Sequence, residues 1–276
     1  MTRCWLVALA AVVSSGCMSI SALVTIRPDG SGTVAQTLLM NTKATAQFGQ
    51  MASALAKQHG QPGADKIPPN VGELMDSDVF SEGMLQAMAS QMGEGVRLVS
   101  SEKLKEGPMQ GVRAMYAFDD VTRIRLSQGG PGGGQAAKGE VSFGFEKLAN
   151  GNAVLKIRVP ALLPDQAFKM PAHAGPNVDP EAAKAMMAMM KPMLEGMRIE
   201  MALALDGRLV KSNIPFGSGD RLTLISLNMD EMMASPDFMK NITPPATLEE
   251  GKRRLQNMPG LKMVLEPEIV IEYASR

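Results

Sequence analysis

Histidine, methionine and paired carboxylates are the side chains on which chemistry could be built here. Histidine is the commonest general base, and the chain has two, His59 and His173. Neither stands near a Ser, Cys or carboxylate in an arrangement that suits nucleophilic catalysis. His59 precedes Gly60 at an expected helix end, where the helix dipole favours a cation. His173 lies in a Pro-rich stretch. The acids Asp119-Asp120 and Glu249-Glu250 are adjacent pairs, whose side chains point in different directions and suit solvent better than a shared proton. No Gly-x-Ser-x-Gly elbow, His-Glu-x-x-His helix or Cys-x-x-Cys pair occurs. Gly129 to Gly134 is glycine-rich, but no Lys-Ser/Thr follows it as a phosphate loop requires. These patterns predict no catalytic residue, no metal site and no cofactor.

Methionine is the compositional outlier. There are 24, against one Trp, two Tyr and eight Phe. Met84, Met88 and Met92 are spaced four apart, and Met186, Met190, Met193 and Met197 would share a face if a helix persisted through Pro192. Three readings are open. Methionine fills irregular gaps in cores and favours helices. It also lines adaptable apolar grooves for a hydrophobic ligand or a partner chain. Thioethers suit Cu(I) as well, and Met-x-x-Met occurs at 186/189, 187/190 and 190/193. Packing accounts for the pattern most simply, because these methionines alternate with Ala in an amphipathic segment rather than with His or Cys.

The two cysteines are Cys4 and Cys17. Arg3 is followed by an apolar run from Cys4 to Val13 and then by Ser14-Ser15-Gly16-Cys17. This three-part layout is that of a secretory signal. The run is too short for a spanning helix, which needs roughly 20 residues. The Ser-Ser-Gly-Cys ending resembles the lipobox of bacterial lipoproteins, with Ser14 where the family usually has Leu. The resemblance implies cleavage after Gly16, a diacylglyceryl group on the Cys17 thiol, and a further acyl chain on the new N-terminus. It thus implies a membrane-anchored protein of the bacterial cell envelope. In that family an Asp after the Cys retains the protein in the inner membrane. Met18 stands there instead, which points to the outer membrane. Once Cys4 is removed, no internal disulfide can form.

Positive and negative side chains are equal at 28 each. That balance removes the basic footprint of a nucleic-acid binder. The remaining elements read as hairpins and helices. Ile20, Ala22, Val24 and Ile26 alternate as in a half-buried strand, and Pro28-Asp29-Gly30-Ser31-Gly32 turns into a second strand. Helices are predicted over Lys43 to His59, Val79 to Met92, Asp179 to Met190, Asp230 to Asn241 and Thr247 to Asn257. Further hairpins are predicted at Gly95 to Asp119, Glu140 to Val159 and Met197 to Ile214, with a closing strand at Glu266 to Tyr273. Residues 160–179 form a long Pro/Ala-rich loop, of the kind that is either a functional lid or disordered.

This order is not a regular βαβ alternation and predicts an α+β fold. Antiparallel hairpins form a sheet packed on Met-rich helices. The division is a signal peptide at 1–16, one half at 17–127, a Gly-rich spacer at 128–139 and a similar half at 140–276. The acylated Cys, the strand, Asp29-Gly30-Ser31-Gly32 and the second strand are together similar to the LppM-type lipoprotein domain. So is the stretch from Gly207 to Leu227 through Asn213 and Asp220. Those relatives imply no catalytic residue. The expected protein is a non-enzymatic, lipid-anchored envelope lipoprotein that binds a partner protein or an apolar ligand. A lipid carrier or a copper-handling protein is the alternative. Cys17 is the expected lipidation site, and Met84, Met88, Met92, Met186, Met190, Met193 and Met197 line the expected apolar groove.

Overall fold

The computed structural model describes residues 18–42, 81–127, 140–158, 191, 194–238 and 247–275. Two sheets dominate them. Strands β1 (Met18–Ile26), β2 (Gly32–Asn41), β3 (Arg97–Glu106), β4 (Met109–Phe118), β8 (Arg198–Leu205), β10 (Gly217–Ser218), β11 (Arg221–Asn228) and β12 (Leu261–Met263) form the larger. Its order is β10-β11-β8-β1-β2-β4-β3, with β12 also paired to β11. The smaller sheet has the order β5-β6-β7-β13-β9. Its strands are β5 (Arg125–Ser127), β6 (Glu140–Lys147), β7 (Ala153–Arg158), β9 (Arg208–Ser212) and β13 (Glu268–Ala274). Three helices are described: α1 (Glu82–Met92), α2 (Met229–Met233) and α3 (Leu248–Gln256).

The expected α+β arrangement is corrected by this architecture, which is mostly β. Alternation explains why. Phe143 on β6, Leu155 and Ile157 on β7, and Ile269, Ile271 and Tyr273 on β13 give the smaller sheet an apolar face. That face shares one core with Val24, Ile26, Val34, Tyr116, Phe118, Leu203 and Leu205 of the larger sheet. A second sheet therefore covers the first where helices were expected. Helix α1 contributes only Leu85 and Ala89 as fully buried side chains. Asp230 to Asn241 was expected to be one helix, but α2 ends at Met233.

Most local pairings follow the turns. In the β1–β2 turn, Gly30 has φ +88°, which glycine adopts freely. A Cβ there would also lie 3.1 Å from the Phe145 ring of the other sheet. Asp206-Gly207, however, does not close the expected hairpin. The chain leaves β8 in the larger sheet and enters β9 in the smaller one. Asp206 crosses over by donating its N–H to the Ile26 carbonyl at 2.9 Å. Strand β1 pairs with β2 antiparallel and with β8 in parallel, so strands from both sides of residues 128–139 lie side by side.

Candidate functional site

Strand β1 starts at Met18, the residue after the expected lipidation site. It is held on both flanks. Met18 to Ile26 pair residue by residue with Met40 to Gly32, and Ser19 to Ile26 pair with Arg198 to Leu205. An alternating, β-branched strand fits such a central position. Cys17 itself lies outside the described residues. One peptide link separates it from a strand in the sheet interior, so its Cα is about 3.8 Å from that of Met18.

The methionine positions divide. Met88 and Met92 of α1 pack against the main core, whereas Met84 is exposed at 40%. Met197 packs against a second, smaller apolar cluster. Met229, Met232, Phe238 and Met258 are its buried members, with Leu194, Leu227, Met233, Leu255 and Leu261 around them. Met186, Met190 and Met193 lie outside the described residues, as do His59 and His173. The structure thus brings Met197 together with four methionines of the 229–258 region, which the sequence did not single out. A helical-face pattern could not have found them, because they come from α2, the turn before β12 and the chain entering β8.

The carboxylates have structural partners. Asp119 pairs with Arg97 at 3.1 Å, and Glu249 with Lys252 at 3.6 Å. Glu250 pairs with Arg254. Asp120 accepts from the Thr122 N–H at 2.8 Å and the Thr122 hydroxyl at 2.7 Å, starting a 3-10 turn. Those bonds hold its carboxyl below the usual Asp value. Asp29 is lowered in the same way by the Ser31 hydroxyl and N–H. Two tyrosines are fully buried. The Tyr273 hydroxyl donates to the Arg27 carbonyl at 2.9 Å. Burial pushes Tyr273 up to about 12, with the negative Asp29 adding to the shift. Burial raises Tyr116 as well, and its hydroxyl meets no partner among the described residues.

Among the described residues, no three His, Cys, Asp or Glu side chains converge as a metal site would require. One open cavity of about 410 Å³ lies at the β10–β11–β12 edge, lined by Pro215, Phe216, Gly217, Ser218, Arg221, Thr223 and Lys262. Arg221 is tied to Glu200 at 2.7 Å.

No family model matches the chain. It is 28% identical over 144 residues to an aconitate isomerase of a Pseudomonas species, a stretch that is 51% of this chain and 50% of that protein. The chain thus aligns with about half the length of this curated relative. The match overturns the expectation that the chain is not an enzyme. Among solved structures, the folded domain of LppM from Mycobacterium tuberculosis aligns over 94% of this chain and 91% of its own, at 8% identity and a TM-score of 0.33. That neighbour is of the kind the sequence resembles, but at this score the superposition carries no argument about function.

Proposed function

We propose that this chain is a cell-envelope lipoprotein, held at a membrane by acyl chains on Cys17, whose β domain binds a partner protein or an apolar ligand. One observation carries the reading. Met18, the residue after Cys17, already belongs to a strand paired on both flanks. A lipid on Cys17 would hold the folded domain against the membrane with no tether. Two or more acyl chains suffice for stable anchoring, since each buried methylene contributes about 0.8 kcal/mol. The test is the distribution of the Cys17→Ala protein between membrane and soluble fractions. Release from the membrane is the expected result, and an unchanged distribution removes the anchor. A lipid that co-purifies after mild extraction would make an apolar ligand the better reading than a protein partner.

The aconitate isomerase match favours a second reading, in which the anchored domain acts on a small carboxylate. The edge cavity suits such a ligand, because Arg221 and Lys262 border it with Ser218 and Thr223. Aconitate and its isomer differ in their ultraviolet and proton resonance spectra, so conversion by the purified chain is directly measurable. The reading expects conversion that falls in the Arg221→Ala, Lys262→Ala double variant. No conversion by the unaltered chain would remove it.

A further inference from the structure

We infer that the end of the larger sheet that carries Met18 rests on the lipid bilayer, while the opposite end points away from it. This rests on the Cys17 anchor proposed above and adds an orientation to it. The strand rules of the sheet give both ends. At the Met18 end, β2 finishes at Asn41, β3 at Glu106 and β11 at Asn228, while β4 begins at Met109, β8 at Arg198 and β12 at Leu261. At the far end, Ile26 lies beside Leu205 and Gly32, and Gly32 lies beside Phe118. Nine residues of β1 separate the two ends, which at about 3.3 Å per residue is roughly 25–30 Å.

The two ends differ in chemistry. The turns at the far end carry acids: Asp29 after β1, Glu94 before β3, Asp119 and Asp120 after β4, Asp206 after β8 and Asp220 before β11. The near end carries methionine instead. Met18 pairs with Met40, Met109 opens β4, Met197 precedes β8, Met229 follows β11 and Met258 stands before β12. Met229 donates its N–H to the Met197 carbonyl at 3.0 Å, which joins these segments. Acids at the near end are partly engaged. Asp230 accepts from the Gly196 N–H at 2.6 Å and Glu231 from the Asn228 amide at 2.7 Å. Lys105 and Arg198 lie in the same rows of the sheet. Met18, Met40 and Met197 are half-buried at the near end, while Met109, Met229 and Met258 are buried within the fold, and the acids in the far-end turns suit water. With Cys17 one link from Met18, a lipid on it can only emerge at the methionine end.

The test uses tryptophan as a depth gauge in the full lipidated chain. Trp5, the one native tryptophan, lies before the expected cleavage site at Gly16, so the lipidated chain carries no other tryptophan. Glu106→Trp reports the near end and Asp119→Trp the far end, with Lys105→Trp and Asp206→Trp as a second pair if either of the first fails to fold. All four positions are exposed. In vesicles containing brominated phosphatidylcholine, the near-end tryptophans should be quenched several-fold more strongly than the far-end ones. Equal quenching at both ends, or stronger quenching at Asp119→Trp, overturns the orientation while leaving the anchor intact. A chain that does not partition to vesicles at all overturns the orientation together with the anchor.

Discussion

The core between the two sheets and the cluster beside β11 are built from different side chains. The former buries Tyr116, Tyr273, Phe118, Leu155, Ile157 and Ile271, and no methionine is among its fully buried members. The latter buries three methionines and one Phe. Branched and aromatic side chains have few rotamers and fix one packing. Methionine adapts to whatever gap it meets. The rigid core sits toward the aspartate-bearing end, and the adaptable cluster sits at the end next to Cys17. Among the described residues, the buried methionines Met229, Met232 and Met258 gather at the end where the proposed anchor leaves the fold, while Met88 and Met92 lie against the rigid core.

The largest effect that would break this comparison is a cavity in the rigid core. Leu155 is fully buried, so Leu155→Ala should cost about 2–5 kcal/mol in urea unfolding. Met232→Leu, which conserves volume in the soft cluster, should cost less than about 1.5 kcal/mol. If Met232→Leu proved as damaging as Leu155→Ala, the cluster would be shaped as tightly as the core, and the contrast would collapse.

The buried tyrosines sharpen the same comparison within the rigid core. Tyr273 has a partner in the Arg27 carbonyl, so Tyr273→Phe should lose about 0.5–1.5 kcal/mol. Tyr116 has none among the described residues, so Tyr116→Phe removes an unpaired buried hydroxyl and should be neutral or stabilising. Thermal unfolding of the two variants decides the matter. A Tyr116→Phe protein less stable than Tyr273→Phe would show that Tyr116 holds a partner that matters.

How far the sequence disclosed this molecule depends on the range of the interaction. The β1–β2, β3–β4 and β6–β7 hairpins were legible, because Pro28-Asp29-Gly30, Gly107-Pro108 and Asn150-Gly151 act within a few residues. The parallel β1–β8 pair was not, since it joins residues far apart in sequence and no local signal marks it. Asp206-Gly207 misled for a related reason. It has turn chemistry, yet the Asp206 N–H is taken by Ile26 of another strand and the chain changes sheets. The spacing of Met84, Met88 and Met92 revealed a helix, and Met88 and Met92 lie against the core, but its buried side chains are Leu85 and Ala89. The Cys17 proposal rests on a linear motif, which needs no tertiary fold to be visible. The Met197, Met229, Met232 and Met258 cluster could not, because only the tertiary fold assembles it.

Titration gives two smaller effects, both located at the aspartate-bearing end. Tyr273 is held protonated up to about 12 in the folded protein, against 10 for an ordinary tyrosine. The folded state binds this proton more tightly than the unfolded chain does. The resulting stability is whole below pH 10 and is lost as pH rises toward 12. Melting temperatures measured across that window should fall, and Tyr273→Phe should blunt the fall. A fall of the same steepness in the variant would assign it to other groups.

Acid acts in the opposite sense and more weakly. The Ser31 and Thr122 donors hold Asp29 and Asp120 below 3.8, the ordinary Asp value. The unfolded chain therefore takes up these protons first. The stability tied to each carboxylate is complete above pH 3.8 and drains away as pH falls through its lowered folded value. Both groups are largely solvated, so the loss per site is small. Ser31→Ala removes the hydroxyl donor to Asp29 and leaves the backbone one, while Asp29→Asn removes the charge. Stability should become less dependent on pH below 4 in both variants, with Asp29→Asn the flatter. If unfolding in acid instead began at the methionine end, shown by earlier hydrogen exchange at Met229 and Met232 than at Tyr116 and Val121, adaptable packing rather than the aspartate turns would set the acid limit of the fold.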